Sequence, residues 1–224
     1  MKDVKKEPKD APQEPRNARR NQHTKISDDI QTVVFDLDGT LYNKKGLAHR
    51  MVRRLWWCLP LLMSERLARR EAHQVQFATE QEFFDAFFAA MARGHWWGPK
   101  VAAKWYHMVY IPAMVRLIAR HHKARPEALA LLDECRARGL KMAIYSDYGS
   151  VEEKLAALGI DKTQFALLVS APELGALKPS EPCAQKVLDM LHADPKTTLF
   201  VGDRDEKDGA SARAVGAQFL LMGD

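Results

Sequence analysis

The chain predicts an α/β fold: a Rossmann-like parallel sheet of five strands, helices on both faces, and a helical cap inserted after the first strand. Three observations carry this. Short apolar runs alternate with helical patterns through 29–41 and 125–224. Several of those runs end in acidic, hydroxyl or lysine-bearing turns. The interval 42–124 is helical in pattern and too long for one crossover helix. Strands alternating with helices make a parallel sheet covered on both faces. Right-handed crossovers then bring every strand's carboxyl end to one edge. Ligands bind along that edge, where the strand order reverses.

The elements follow in order. Residues 1–28 are rich in Lys, Glu, Pro, Arg and Gln and read as a flexible tail. The strand runs are Thr32 to Phe35, Lys141 to Tyr145, Ala166 to Val169, Thr197 to Val201 and Ala217 to Leu221. In the insert, 42–124, one helix is expected from Leu47 to Arg70, interrupted at Pro60. A second runs from Thr79 to Met91, with Thr79 as cap and Glu82 as its reciprocal partner. A third spans Val101 to His122, broken at Pro112. Beyond it, Arg125 to Arg138 opens on Pro126 and stops at Gly139. Ser150 to Leu158 stops at Gly159, Ser180 to Leu191 carries a Cys183, Val187, Leu188, Leu191 stripe, and Lys207 to Val215 stops at Gly216. The insert would lie over the strand ends and hinge near Tyr42 to Lys45 and His122 to Arg125.

Composition limits the partners. A formal charge of +5 over 224 residues is mild, and the basic residues form no dense stripe on the sheet half. Nucleic acid is not expected as a partner. Cys58, Cys135 and Cys183 show no paired spacing, which suits a reducing, cytoplasmic setting. No window holds 18 uninterrupted apolar residues, so no transmembrane segment is expected. Nothing in the sequence fixes the oligomeric state.

Four strand ends carry chemistry-bearing side chains. The first strand ends in Asp36-Leu37-Asp38-Gly39-Thr40. Paired carboxylates there can hold a divalent cation, or divide attack and proton transfer between them. Taken alone, the same residues make an acidic turn. Ser146-Asp147 follows the second strand; a hydroxyl there can serve an anion or cap a helix. Lys178-Pro179 follows the third, as a fixed positive charge or a solvated loop lysine. Gly202-Asp203-Arg204-Asp205-Glu206-Lys207-Asp208 follows the fourth. Carboxylates of this kind suit Mg²⁺, and a lysine with a serine beside it makes a receptor for a tetrahedral oxyanion.

In that order the set resembles the haloacid dehalogenase-like hydrolase superfamily. Phe35 to Leu41 looks like its first motif, Ser146 its second, Lys178-Pro179 its third and Gly202-Asp203 through Asp208 its fourth. The small residues Ala212, Gly216 and Ala217 continue the likeness, which covers Thr32 to Met222. The insert is similar in position to the family's first type of cap. The resemblance implies a Mg²⁺-dependent phosphomonoester hydrolase acting on a small phosphorylated molecule. Asp36 would attack phosphorus to form an aspartyl-phosphate, and Asp38 would protonate the leaving oxygen and then activate water. Asp36, the Asp38 carbonyl and Asp203 would hold Mg²⁺, with Asp208 binding through water or orienting that shell. Ser146 and Lys178 would steady the phosphoryl oxygens. The family's dehalogenases lack the acid/base role that Asp38 supplies. A phosphotransferase or mutase using the same intermediate, and a non-catalytic scaffold keeping the fold, are the alternatives.

The insert holds all five tryptophans, at Trp56, Trp57, Trp96, Trp97 and Trp105, and a basic run including Arg50, Arg53, Arg54, Arg66 and Arg70. Three readings stay open: a core of large aromatics, a lining for the substrate, or a basic apolar face for anionic lipid or a second copy. The basic run would also draw a multiply anionic substrate, and the aromatics an aromatic one. His49, His73, His95, His107, His121 and His122 lack zinc-site spacing.

Overall fold

The computed structural model describes residues 26–73 and 75–223. Most of the expected tail lies outside them. Its last positions are packed: Ile26 is buried, and Arg138 donates to the carbonyls of Ile26 and Ser27 at 2.8 and 2.9 Å. The core therefore takes hold of the chain slightly earlier than charge and composition suggest.

β1 (Thr32–Phe35) is buried along its whole length. The insert follows as α1 (Leu47–Arg54), a 3₁₀ turn at Trp56–Cys58, α2 (Leu59–Ala72), α3 (Glu80–Ala92), α4 (Pro99–Trp105), a π-helical turn at Tyr106–Tyr110, and α5 (Ile111–His121). Both prolines sit in first turns, Pro60 of α2 and Pro112 of α5, where a missing N–H costs nothing. The expected break at Pro112 is thus a widened turn ahead of it, which takes up the lost register. Thr79 Oγ1 caps α3 by accepting from Glu82 N at 3.2 Å. The Glu82 carboxylate returns the link to Ala78 N at 3.1 Å, one residue earlier than the expected reciprocal partner.

The crossover half continues with α6 (Pro126–Ala137), β2 (Lys141–Ser146), α7 (Val151–Ala157), β3 (Leu167–Ser170), α8 (Glu181–Leu191), β4 (Thr198–Gly202), a π-helical turn at Asp205–Gly209, α9 (Ala210–Ala214) and β5 (Gln218–Leu221). The strand order is β3-β2-β1-β4-β5, and every pairing is parallel. Phe35 at the end of β1 lies beside Ile144 of β2 and Val201 of β4. The order reverses beside β1, so its carboxyl end faces the crevice between diverging connections.

Alternation along the strands supplies two cores. Val33, Phe35, Ile144 and Val201 pack with Leu132, Cys135 and Leu155 on one face. Val34, Ala143, Tyr145 and Phe200 pack with Val187, Leu188 and Ala212 on the other. The first core continues without a break into the insert, reaching Phe83, Met91 and Ile118.

Two joints attach the cap. At the chain crossings Arg125 N donates to Leu41 O at 2.8 Å, Tyr42 bridges to Ala124, and the Tyr42 and His122 rings meet edge to face at 5.4 Å. Away from the crossings, Phe77 N donates to Gly175 O at 2.8 Å, and Ser180 Oγ donates to the Gln76 side chain at 2.6 Å. Gly175 has φ +93°, and a Cβ there would meet the Phe77 carbonyl oxygen at 2.4 Å. A glycine lets the two backbones touch at this point.

Candidate active site

β1 delivers Asp36 to the crevice, and the turn after it bends back on itself. Asp36 N donates to Val201 O at 2.8 Å, so β4 holds Asp36 by its backbone. Thr40 Oγ1 donates to Asp36 Oδ2 at 2.9 Å, and Lys178 Nζ to Asp36 Oδ1 at 2.6 Å. The same ammonium donates to Asp208 Oδ1 at 2.5 Å and to the Tyr145 carbonyl at 3.0 Å. Lys178 is buried, as are both carboxylates. Its approach is set by Asp147: Oδ1 accepts from Lys178 N at 2.8 Å, and Oδ2 from Lys207 Nζ at 2.8 Å.

Burial pushes the Asp36 carboxyl up, to about 7; Lys178 pulls it down, while Asp208 and Asp38 push it up again. Burial works against the Lys178 charge as well, but Asp36, Asp208 and Asp147 together raise its affinity for a proton. We take Lys178 as the fixed cation and Asp36 as a carboxylate short of positive charge.

Asp38 is held apart from that chain. Lys154 Nζ donates to its Oδ2 at 2.6 Å, Ser146 Oγ to the same oxygen at 3.1 Å, and Tyr42 OH to Oδ1 at 2.6 Å. Burial alone would raise the Asp38 carboxyl, but the Lys154 charge and these hydrogen bonds outweigh it and lower it. Its backbone carbonyl faces the other way and accepts from Lys44 Nζ at 2.9 Å. Lys44 also pairs with Asp203 Oδ2 at 2.5 Å. Gly39, at φ +113°, is required here: a Cβ would lie 2.3 Å from Asp203 Oδ2.

Asp36, Asp203 and Asp208 each offer an oxygen, all within 4.8 Å of one another. This donor set is all oxygen and mostly buried, and with the nearby Asp38 carbonyl it fits a hard divalent cation. Such an ion would also supply the positive charge that Asp36 lacks.

Of the expected site residues, Asp36, Asp38, Lys178, Asp203 and Asp208 line one cavity of about 320 Å³. Ser146 is fully buried behind it; its hydroxyl donates to Asp38 and accepts from Tyr148 N at 3.1 Å. Lys154 and Tyr42, absent from the expected set, hold Asp38. Lys154 had a sequence signal: with Val151, Leu155 and Leu158 it falls on the apolar face of its helix. None of the tryptophans lines the cavity. Trp97 and Trp105 are buried within the insert, while Trp56, Trp57 and Trp96 are exposed. The lining rings are Tyr42, Tyr110 and Tyr148, and the cap arginines that reach the cavity are Arg66 and Arg69 rather than Arg50, Arg53 or Arg54.

Arg69 joins cap to core. It pairs with Glu65 at 2.8 Å, donates to the Asp147 carbonyl at 3.2 Å, and lies 3.9 Å above the Tyr148 ring. His73 sits between Lys207 Nζ, 3.1 Å from Nε2, and the Lys178 carbonyl, 3.1 Å from Nδ1. Burial and Lys207 lower its proton affinity, so a neutral ring donates from Nδ1 and accepts at Nε2.

A five-stranded parallel sheet with acids and a buried lysine at its strand ends, beneath an inserted helical cap, defines an α/β protein with a polar strand-end site. The family follows: residues 30–216 match the haloacid dehalogenase-like hydrolases, and the chain belongs to that family. It is 26% identical over 182 residues to haloacid dehalogenase-like hydrolase domain-containing protein 3 of Xenopus laevis, covering 81% of this chain and 63% of that protein. It is 32% identical over 105 residues to phosphoserine phosphatase of Thermus thermophilus, covering 46% and 42%. The chain thus spans less than two thirds of the length of these relatives. CbbY from Rhodobacter sphaeroides, solved in complex with phosphate, shares the fold at a TM-score of 0.64, with 19% identity and 87% of both chains covered. No helix among the described residues is long and apolar enough to cross a membrane.

Proposed function

We propose that the chain is a Mg²⁺-dependent phosphomonoester hydrolase working through an aspartyl-phosphate on Asp36, with 42–124 as its cap domain and a small phosphorylated molecule as its substrate. The observation that carries this is the division of two neighbouring carboxylates. Asp36 shares Lys178 with Asp208, while Asp38 is tethered separately by Lys154 and Tyr42. One is positioned to attack and the other to move a proton. Phosphoserine phosphatase among the relatives supports the same chemistry.

In this reading Asp36 Oδ attacks phosphorus as the bond to the leaving oxygen breaks. Asp38 gives that oxygen its proton. Lys154 favours ionised Asp38, so the proton has to be drawn by the charge of the arriving phosphoryl group. Once ionised, Asp38 takes a proton from water, which attacks the aspartyl-phosphate and releases inorganic phosphate and free Asp36. Lys178 stays cationic and steadies the phosphoryl oxygens. Asp36, Asp203, Asp208 and the Asp38 carbonyl would hold Mg²⁺, which supplies charge neutralisation at the transferred group. Phosphate release from an aryl phosphate, measured with Mg²⁺ and with chelator, tests the reading. Asp36→Asn should abolish turnover, and Asp38→Asn should slow it by a factor of about 10²–10⁴. Undiminished release by purified Asp36→Asn would remove Asp36 as nucleophile.

A further inference from the structure

We propose that the cavity takes the phosphate monoester of a hydrocarbon-chain alcohol, so that the substrate is an amphiphile rather than a sugar or nucleotide phosphate. The chemistry rests on the hydrolase reading; the class rests on the cap wall.

The floor of the cavity is charged; its cap side is mainly apolar, apart from Glu65, Arg66 and Arg69 of α2. Leu47 and Met51 of α1, Leu62 of α2 and Met114 of α5 are buried side chains that line it. Val52 and Met63 continue the same wall to the rim, 38% and 48% exposed. Methionines adapt to a flexible chain better than branched side chains do. A polyhydroxy leaving group would need partners on this wall. Glu65, Arg66 and Arg69 are there. Glu65 and Arg69 bind each other, and Arg69 is further engaged by the Asp147 carbonyl, the Tyr106 hydroxyl and the Tyr148 ring. Arg66 is exposed, a single cation beside the apolar side chains. The Tyr110 and Tyr148 hydroxyls are the uncharged donors left to this half. Each substrate hydroxyl buried without a partner would weaken binding by about tenfold.

The apolar wall also does not stop at the rim. Leu59 and Leu67, both exposed, lie about one helical turn either side of Met63 on α2, and Trp56 and Trp57 are exposed in the turn just before that helix. A chain longer than the cavity would emerge onto apolar surface instead of into water.

Calorimetric titration with alkylphosphonates, methyl to octyl, tests the wall without requiring turnover. With Mg²⁺ present, the dissociation constant should fall about threefold per methylene until the chain reaches the rim. Met114→Gln should flatten that series. Met63→Glu, at an exposed position that spares the fold, should weaken only the longer chains. A dissociation constant independent of chain length, no binding at any length, or tighter binding of glucose 6-phosphate than of hexylphosphonate would overturn the proposal. Hydrolysis of alkyl and aryl phosphates is followed in parallel. Rising phosphonate affinity without any turnover would leave the wall assignment standing and reject the hydrolase reading. Aryl phosphate turnover with a flat alkyl series would do the reverse.

Discussion

Lys154 is fully buried and its charge faces Asp38, so its removal leaves a largely buried carboxylate with the Tyr42 and Ser146 hydroxyls but without its cation. Lys154→Met should cost about 3–5 kcal/mol of stability near neutral pH. The sign of the pH dependence follows from the lowered Asp38 carboxyl. Its contribution is present above the ordinary carboxylate range and is lost as pH falls through the lowered value. The gap between wild type and variant should therefore shrink in acid, and denaturant titrations at neutral pH and below pH 4 check this. A gap that widened in acid would refute it. Asp36, Asp38, Lys178, Asp203 and Asp208 were legible as candidates in the sequence because they follow successive apolar runs in one order; each alone also reads as an acidic turn or a loop lysine. Tyr42 was not legible, and the place of Lys154 on the apolar face of its helix marked it as buried without naming its partner. They reach the site from a helix and a linker, and their partner lies far away along the chain. Ser146 was legible as a strand-end hydroxyl, but not the direction of its hydrogen bond, which Asp38 and Tyr148 decide together.

At the scale of elements, strand positions agreed with the sequence to within a residue or so; burial on both faces leaves an unbroken apolar run in β1 and β4, while the edge strand β5 is only partly covered. The insert was less legible. Its helices were expected, while the breaks between them shifted, since a proline in a first turn marks where a helix begins rather than where it stops. The loop between α2 and α3 carried no signal at all for its contact with the turn after β3. That contact makes a specific demand of Gly175. Gly175→Ala must carry a positive φ and displace a backbone carbonyl. We expect a loss of about 2 kcal/mol, read as a lowering of the melting midpoint by about 5 °C. Hydrogen exchange should rise first at 75–79, ahead of the sheet. Uniform loss of protection across β1 and β4 would mean that the damage is global.

For the whole molecule, the second joint changes how the cap can move. The sequence located two crossings, and hinging there alone would leave the cap free. In the structure the cap is also fastened by Phe77 to Gly175, by Gln76 to Ser180 and by Arg69 to Asp147. Opening must break these bonds, while the crossings near Tyr42 and Ala124 bend. Closure would exclude water around Asp36. Addition of Mg²⁺ and fluoroberyllate should therefore raise amide protection at 75–79 and 174–178, more than at 122–125. Equal protection at 75–79 with and without the bound mimic would mean a static lid. The continuous core running from sheet to insert limits the motion to a small rotation, because larger displacement would expose Phe83 and Ile118.

The ammonium of Lys44 stands between the Asp38 carbonyl and Asp203, on two of the oxygens a divalent ion would use. A group tied to the backbone a few residues away acts as a tethered competitor, present at high effective concentration and impossible to dilute. Any ion that takes both oxygens must first evict it, so part of the ion's intrinsic affinity is consumed in the exchange. Lys44→Met should then tighten Mg²⁺ binding, measured by calorimetry, by about tenfold. The same substitution should lower the melting midpoint recorded in chelator, where Asp203 loses its neighbour. Unchanged or weaker Mg²⁺ binding in the variant would show that Lys44 supports the ion instead of opposing it. With Lys44 as competitor, the chain would carry its own threshold for the cation, set by one lysine and responsive to how much Mg²⁺ surrounds it.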